Sequence, residues 1–359
     1  MRELYKKYER HLTAIAFLLG FILDNLTIQR VDRWFEHIFL MMYIVLSAFL
    51  IIVYNAVDLE RERTSGISRR FAKIVAWLPV PIQFSFGAIL SGSLVFYSRS
   101  ASLSVSWPFL ILLVLFVVCN ELVHSRYGRL TLQISGFFIA LFLYASFALP
   151  VALHTLNATV FVMSGFLSLC ITLVLTRFIK WFSRERFKQS RLLLYASLLS
   201  LFALFNVLFF SNLIPPLPLA IREIGVFHSI SRDASGEYVL HYEPATWYHL
   251  RLISPVFHIT KDDSLAYVYS SIFAPSKLST EIVHEWYKKN EQGAWVSQGT
   301  VSFPIFGGRE GGYRGFTSKK VTPGKWRVDV KTARGALIGR TVFTVELPVD
   351  SLTIQTVLR

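Results

Sequence analysis

Charge is scarce in this sequence: Asp, Glu, Lys and Arg make up 17% of its 359 residues, against 53% hydrophobic. Soluble domains carry about a quarter charged residues, so the balance excludes a compact cytosolic enzyme, and the apolar content excludes a disordered chain. With 19 glycines and 13 prolines it is no collagen-like fibre. Its two cysteines, Cys119 and Cys170, exclude a disulfide scaffold. Acids are also short, 23 against 37 basic residues, which leaves a net charge of +14. Such a surplus suggests nucleic acid, but its placement argues otherwise. Residues 1–220 hold 20 Lys/Arg and 10 Asp/Glu, while 221–359 hold 17 and 13. Most of the excess lies in the apolar half, where basic residues mark loops that stay cytoplasmic. No nucleic-acid partner is expected.

What is present is a series of long apolar runs. A helix needs roughly 20 mostly apolar residues to cross about 30 Å of hydrocarbon. Seven segments meet this, near 12–28, 34–55, 72–97, 104–122, 130–149, 156–179 and 192–213. Pro79 and Pro81 fall inside the third and predict a kinked helix. The first run follows a basic amino terminus but precedes Asp24-Asn25-Leu26-Thr27, with no small-residue cleavage site, and reads as an uncleaved anchor. Lys and Arg on alternate sides total 17 on the amino-terminal side and three, Arg30, Arg33 and Arg99, on the other. The amino terminus is therefore expected in the cytoplasm and, after seven crossings, everything past Pro215 outside it.

Ionisable residues in or beside spans are functional candidates. Asp24, Glu36 and His37 fall near the outer ends of the first two helices, and Glu121 at the inner end of the fourth. They read either as ends of a proton or ion path or as ordinary solvation of helix termini.

Beyond Asn212-Leu213-Ile214-Pro215-Pro216-Leu217-Pro218 the pattern changes. Residues 1–214 read as a seven-helix membrane domain, 215–224 as a stiff proline-rich linker, and 225–359 as a β-domain. In Lys325-Trp326-Arg327-Val328-Asp329-Val330-Lys331, apolar and charged residues alternate as in a half-buried antiparallel strand. Similar runs occur at 237–243, 265–273, 282–288, 294–303, 313–319 and 338–346. Gln292-Gly293 and Pro323-Gly324 supply turn chemistry. Some seven strands of this spacing predict an all-β, immunoglobulin-like sandwich.

His284-Glu285-Trp286, Tyr313-Arg314-Gly315-Phe316-Thr317-Ser318-Lys319, Gly324-Lys325-Trp326-Arg327-Val328, Gly339 and Phe343 together resemble a bacterial envelope family known as a domain of unknown function, numbered 2914. The resemblance spans roughly 265–346; members commonly have tryptophan where this chain has Tyr313. It implies a Gram-negative inner-membrane protein with a periplasmic β-domain, and brings no known reaction.

Among motifs that carry chemistry, the sequence has no His-Glu-x-x-His zinc signature, Gly-x-Ser-x-Gly elbow, Walker loop or dinucleotide fingerprint. No metal or other cofactor is expected, although His228, His241, His249, His258 and His284 would need to converge to alter that. The main functional signal is electrostatic. From Tyr313 to Arg340 eight basic residues accompany a single acid, Asp329. Arg314, Lys319, Lys325 and Arg327, if they share a face, form a clamp for phosphate or carboxylate; otherwise they are a solvated face balanced by acids elsewhere. His284 and Trp286 complete the candidate ligand site, with Trp286 and Trp295 as exposed rings for sugar stacking and Trp326 inside. The expectation is a non-enzymatic inner-membrane protein, in contact with the lipid bilayer, whose periplasmic sandwich binds a glycan, lipid or protein. A transporter or channel with an accessory periplasmic domain, and an envelope enzyme, are the alternatives.

Overall fold

The computed structural model describes residues 34–63, 78–122, 129–234, 237–244, 255–259, 264–308, 311–347 and 353–359. The chain divides into two compact units, with the main boundary between Leu217 and Pro218.

The first unit is helical. Its helices are α1 (Trp34–Arg63), α2 (Pro79–Ser100), α3 (Leu103–Leu122), α4 (Leu130–Leu153), α5 (Ala158–Phe182) and α6 (Arg184–Phe210), and each is long and apolar enough to cross a membrane. Among the described residues there are six such helices where seven are expected from sequence; the expected first span, 12–28, lies outside them. Large apolar side chains such as Phe49, Trp181, Leu192 and Leu199 face outward. Such a surface is a liability in water and is compatible with lipid tails.

Pro79 opens α2, and residues 72–77, the part of the expected third span that precedes it, lie outside the described residues. Backbone donors in a first turn have no intrahelical acceptor, so Pro79 and Pro81 remove no hydrogen bond there. The interior prolines are Pro108 in α3 and Pro150 in α4. Helices pack through small polar groups. Along α5 the hydroxyls of Ser164, Ser168, Thr172 and Thr176 donate to carbonyls four residues back at 2.7–2.8 Å, and Ser164 also reaches the Ala145 carbonyl of α4 at 3.1 Å. Asn55 of α1 donates to the Gln133 side chain of α4 at 2.7 Å, while its own buried Oδ1 accepts no hydrogen bond. Such groups permit close backbone approach.

Among the described residues the second unit holds eleven strands: β1 (Ala220–Phe227), β2 (Ser229–Arg232), β3 (Tyr238–Tyr242), β4 (Val256–His258), β5 (Leu265–Phe273), β6 (Ser279–Lys289), β7 (Trp295–Phe306), β8 (Tyr313–Lys320), β9 (Gly324–Thr332), β10 (Leu337–Glu346) and β11 (Gln355–Leu358). All seven strands expected from sequence are present, and β1 begins within the stretch whose prolines suggest a linker. The strands form a five-stranded sheet, β4-β10-β9-β6-β7, and two three-stranded sheets, β1-β5-β8 and β11-β3-β2. Pairing is antiparallel except between β10 and β4. The third sheet and the parallel edge pair distinguish this arrangement from the two-sheet immunoglobulin-like sandwich anticipated.

Strand alternation builds two cores from one middle sheet. Val226 and Val268 of β1-β5-β8 pack with Trp286, Trp326, Val328, Phe343 and Val345 of the five-stranded sheet. Phe227 and Tyr269, one position along, pack with Tyr238 and Leu240 of the third sheet. Edge strand β7 carries two interruptions that discourage further pairing: Pro304, and a bulge where Trp286 and Tyr287 oppose Gly299 and Ser297.

A Cβ on Gly315 would lie 2.5 Å from the Phe303 ring. Gly315→Ala should therefore destabilise the unit by about 1–3 kcal/mol through overpacking, read as a lower midpoint in thermal unfolding of the purified chain. An unchanged midpoint would contradict this packing.

Candidate functional site

The histidine and tryptophan singled out in sequence lie inside the fold. Alternation along β6 points Ile282, His284 and Trp286 into the core, so His284 is 0% and Trp286 1% exposed. Neither is a surface ligand residue. His284 Nε2 lies 2.9 Å from Ser270 Oγ on β5, and Nδ1 lies 3.0 Å from Thr317 Oγ1 on β8. Trp286 Nε1 donates to the same Thr317 oxygen at 3.2 Å, and Trp326, also buried, packs edge-on against Trp286. This polar network joins the five-stranded and middle sheets. Burial disfavours the imidazolium and lowers the His284 pKa from 6.5 to about 4.

The opposite face of β6 and β9 holds a charge network. Asp329, 1% exposed, accepts two hydrogen bonds from Arg340, at 2.5 Å from Nε and 2.8 Å from Nη2. Arg327 approaches it at 3.3 Å and Lys331 at 3.7 Å. Lys331 also donates to Glu285 at 2.7 Å and to the Tyr287 hydroxyl at 3.0 Å. Burial pushes the Glu285 carboxyl up, but hydrogen bonds from Lys331, Tyr287 and Ser297 outweigh it and hold the pKa below the ordinary value. The Arg327 guanidinium lies over the rings of Tyr287, at 4.2 Å, and Trp295, at 4.9 Å. A guanidinium thus occupies the aromatic surface that sequence offers for sugar stacking.

The four-residue basic clamp does not assemble on one face. Lys325 and Arg327 share a face of β9. Arg314 lies on β8 of the middle sheet, in register with Ser271 and in alternation with Phe316, which packs on Tyr238 of the third sheet. Lys319 has the opposite parity and reaches toward Gly299 of β7. A different basic group forms where the β6–β7 hairpin meets the β8–β9 turn. Lys288, Lys289, Asn290, Glu291, Val296, Gln298, Pro323 and Gly324 line an open depression there, and Lys320 and Lys325 are exposed nearby in sequence. Asn290 Oδ1 accepts from the Ala294 amide at 2.7 Å and fixes the hairpin turn, in which Gly293 has a φ of +83°. Lys288 donates to Thr322 Oγ1 at 2.6 Å.

Sequence reasoning missed Glu243. Its Oε1 lies 2.7 Å from His228 Nε2 and accepts from the His258 amide at 2.7 Å, while Oε2 lies 2.7 Å from His258 Nδ1. Burial raises the Glu243 pKa, but the hydrogen bonds from His228 and His258 prevail and lower it. The carboxylate ties the β1–β2 corner and the end of β3 to β4, an arrangement with no local sequence signal because its members come from three sheets. Of the histidines considered together, only His228 and His258 meet. His241 contacts Thr356, His284 is in the core and His249 lies outside the described residues. No group of three or more metal-ligating side chains with suitable geometry occurs among the described residues.

In the helical unit, Asp24 and the side chain of Glu121 lie outside the described residues. Glu36 sits in the first turn of α1, and the His37 ring packs against Tyr144 and Phe147, both at 6.0 Å. Asn157 caps α5 by accepting from the Val160 amide at 2.8 Å. Among the described residues, the buried polar positions of this unit are serines, threonines, Asn55 and Gln133.

Residues 279–345, from the start of β6 to near the end of β10, match the family described as protein of unknown function (DUF2914). The strand-rich half thus carries a DUF2914 region. The match contains His284, Trp286 and Thr317 of the core network and the Asp329 cluster. No curated protein matches the chain. Among solved structures, it is similar to the Pseudomonas fluorescens alkylpurine DNA glycosylase AlkC bound to DNA containing an abasic site analog, at 9% identity over 89% of this chain and 99% of that one, with a TM-score of 0.22. At that score the likeness carries no argument.

His284 makes stability depend on pH. Its pKa is about 4 in the fold against 6.5 ordinarily, so its contribution is complete above pH 6.5 and is lost as pH falls toward 4. The loss should reach about 3 kcal/mol. His284→Gln should be less stable at pH 7.5 and show a shallower decline from pH 6.5 to 4 in denaturant titrations. An equal decline would show that His284 is not the group responsible.

Proposed function

We propose that this chain is a multi-pass protein of the bacterial inner membrane, amino terminus in the cytoplasm, whose strand-rich unit stands in the periplasm and binds an anionic envelope partner without catalysing a reaction. The observation that carries the binding role is a surplus of lysine. Arg327, Lys331 and Arg340 are engaged with Asp329 and Glu285. Lys288, Lys289, Lys319, Lys320 and Lys325 have no acidic partner among the described residues. Uncompensated cations of this kind attract a carboxylate or phosphate and leave the fold intact when the partner departs. The six apolar helices support membrane anchoring, and the excess of Lys and Arg on alternate loops supports the orientation.

Orientation is tested with Lys320→Cys in a Cys119→Ser, Cys170→Ser background. A membrane-impermeant maleimide should label Cys-substituted chains in intact spheroplasts. Labelling only after lysis would place the unit in the cytoplasm. Binding is tested with the full chain in zwitterionic nanodiscs and polygalacturonate as polyanion. Affinity should fall steeply as salt rises from 50 to about 300 mM; no binding at low salt would remove the anionic-partner reading.

A further inference from the structure

We infer that the depression between the β6–β7 hairpin and the β8–β9 turn is a binding site for an anionic saccharide, a sugar bearing carboxylate or phosphate. This rests on the reading that the strand-rich unit binds an anionic partner, and it fixes both the place and the chemical class.

The lining supplies what such a ligand needs. Lys288 and Lys289 line the depression. These two cations match a carboxylate or phosphate. The hairpin amide and carbonyl engage Asn290 through its Oδ1 and backbone, so its Nδ2 remains for a ligand hydroxyl. Gln298 occupies the bulge of β7, opposite no residue of β6, and among the described residues its side chain makes a single long hydrogen bond of 3.5 Å to the Val296 carbonyl. A bulge re-aims a side chain away from the ladder. The carboxamide is therefore free to turn to a ligand.

Glu291 decides between a sugar and a bare anion. Glu291 is one of the lining residues, and a carboxylate there repels free phosphate, whereas a sugar hydroxyl donates to it. Val296, Pro323 and Gly324 give an apolar floor for the C–H face of a ring. Gly324 has a φ of +128°, and a Cβ there would stand 3.4 Å from Lys288 Cε, so glycine keeps this floor low. The neighbouring surface of Tyr287 and Trp295 is a poorer candidate because Arg327 covers both rings while Asp329 compensates its charge.

The test uses the full chain in zwitterionic nanodiscs, with calorimetry against trigalacturonate, maltotriose, inorganic phosphate and glycerol 1-phosphate, the last a soluble lipid-headgroup analogue. Trigalacturonate should bind saturably and at least about tenfold more tightly than the other three. Lys288→Glu with Lys289→Glu should weaken it about tenfold or more, the range of a lost charge-assisted hydrogen bond. Gln298→Ala should weaken it severalfold, and Arg314→Glu, on the middle sheet, should leave it unchanged. Loss with Arg314→Glu but not with the lysine variant overturns this site and leaves the anionic-partner reading standing. Phosphate or glycerol 1-phosphate binding as tightly as trigalacturonate overturns the saccharide class alone. If none of the anionic probes binds, this site and the broader reading both fall.

Discussion

The strand-rich unit depends on the two-residue alternation of its central strands, β6 and β9. One face of β6 carries Ile282, His284 and Trp286 into the core while the other presents Val283, Glu285 and Tyr287. On β9, Trp326, Val328 and Val330 lie inward, and Lys325, Arg327, Asp329 and Lys331 outward. A one-residue slip would place charges in the core and both indoles in water, so register is held by large opposing energies. The middle sheet obeys the same rule from its two sides, and the two cores follow from it.

Both faces show polar groups that burial would penalise unless they were paired. A buried carboxylate is tolerated when hydrogen bonds and opposite charge replace water. Asp329 meets that condition through Arg340, Arg327 and Lys331, which therefore have structural work. Glu243 meets it through two imidazoles and an amide. Once these groups are set aside, the basic character of the region divides between Arg314 on the middle sheet and lysines around the β6–β7 hairpin and the β8–β9 turn. A +7 stretch of sequence is thus divided between an internal cluster and a surface, with different consequences for mutation.

Much of the fold was legible because the period of hydrophobicity is local. Six long apolar helices and seven strands follow from runs and alternation read along the chain. The strands that escaped were β1, β2, β4 and β11. Three of them are only three or four residues long, and β1 has an irregularity between Ile221 and Glu223 that breaks its alternation. The site was less legible. Which face His284 and Trp286 occupy follows from β6 parity, yet whether that face is covered depends on β5 and β8, supplied from either side of it in sequence. Arg314 and Lys319 stand five residues apart on one strand and so point to opposite faces, a conflict with a shared clamp that parity alone could have revealed.

The central claim is that Asp329 and its cations form an internal, cooperative structure. The most direct measurement is a double-mutant cycle of Asp329→Asn and Arg340→Gln in the full chain, with hydrogen exchange at β6, β9 and β10 reporting local opening free energies. A low-exposure bidentate pair should show a coupling of about 1.5 kcal/mol or more. Coupling below about 0.3 kcal/mol, as for a solvated surface pair, would contradict the account and return Arg340 and Arg327 to the pool of side chains free to bind a ligand.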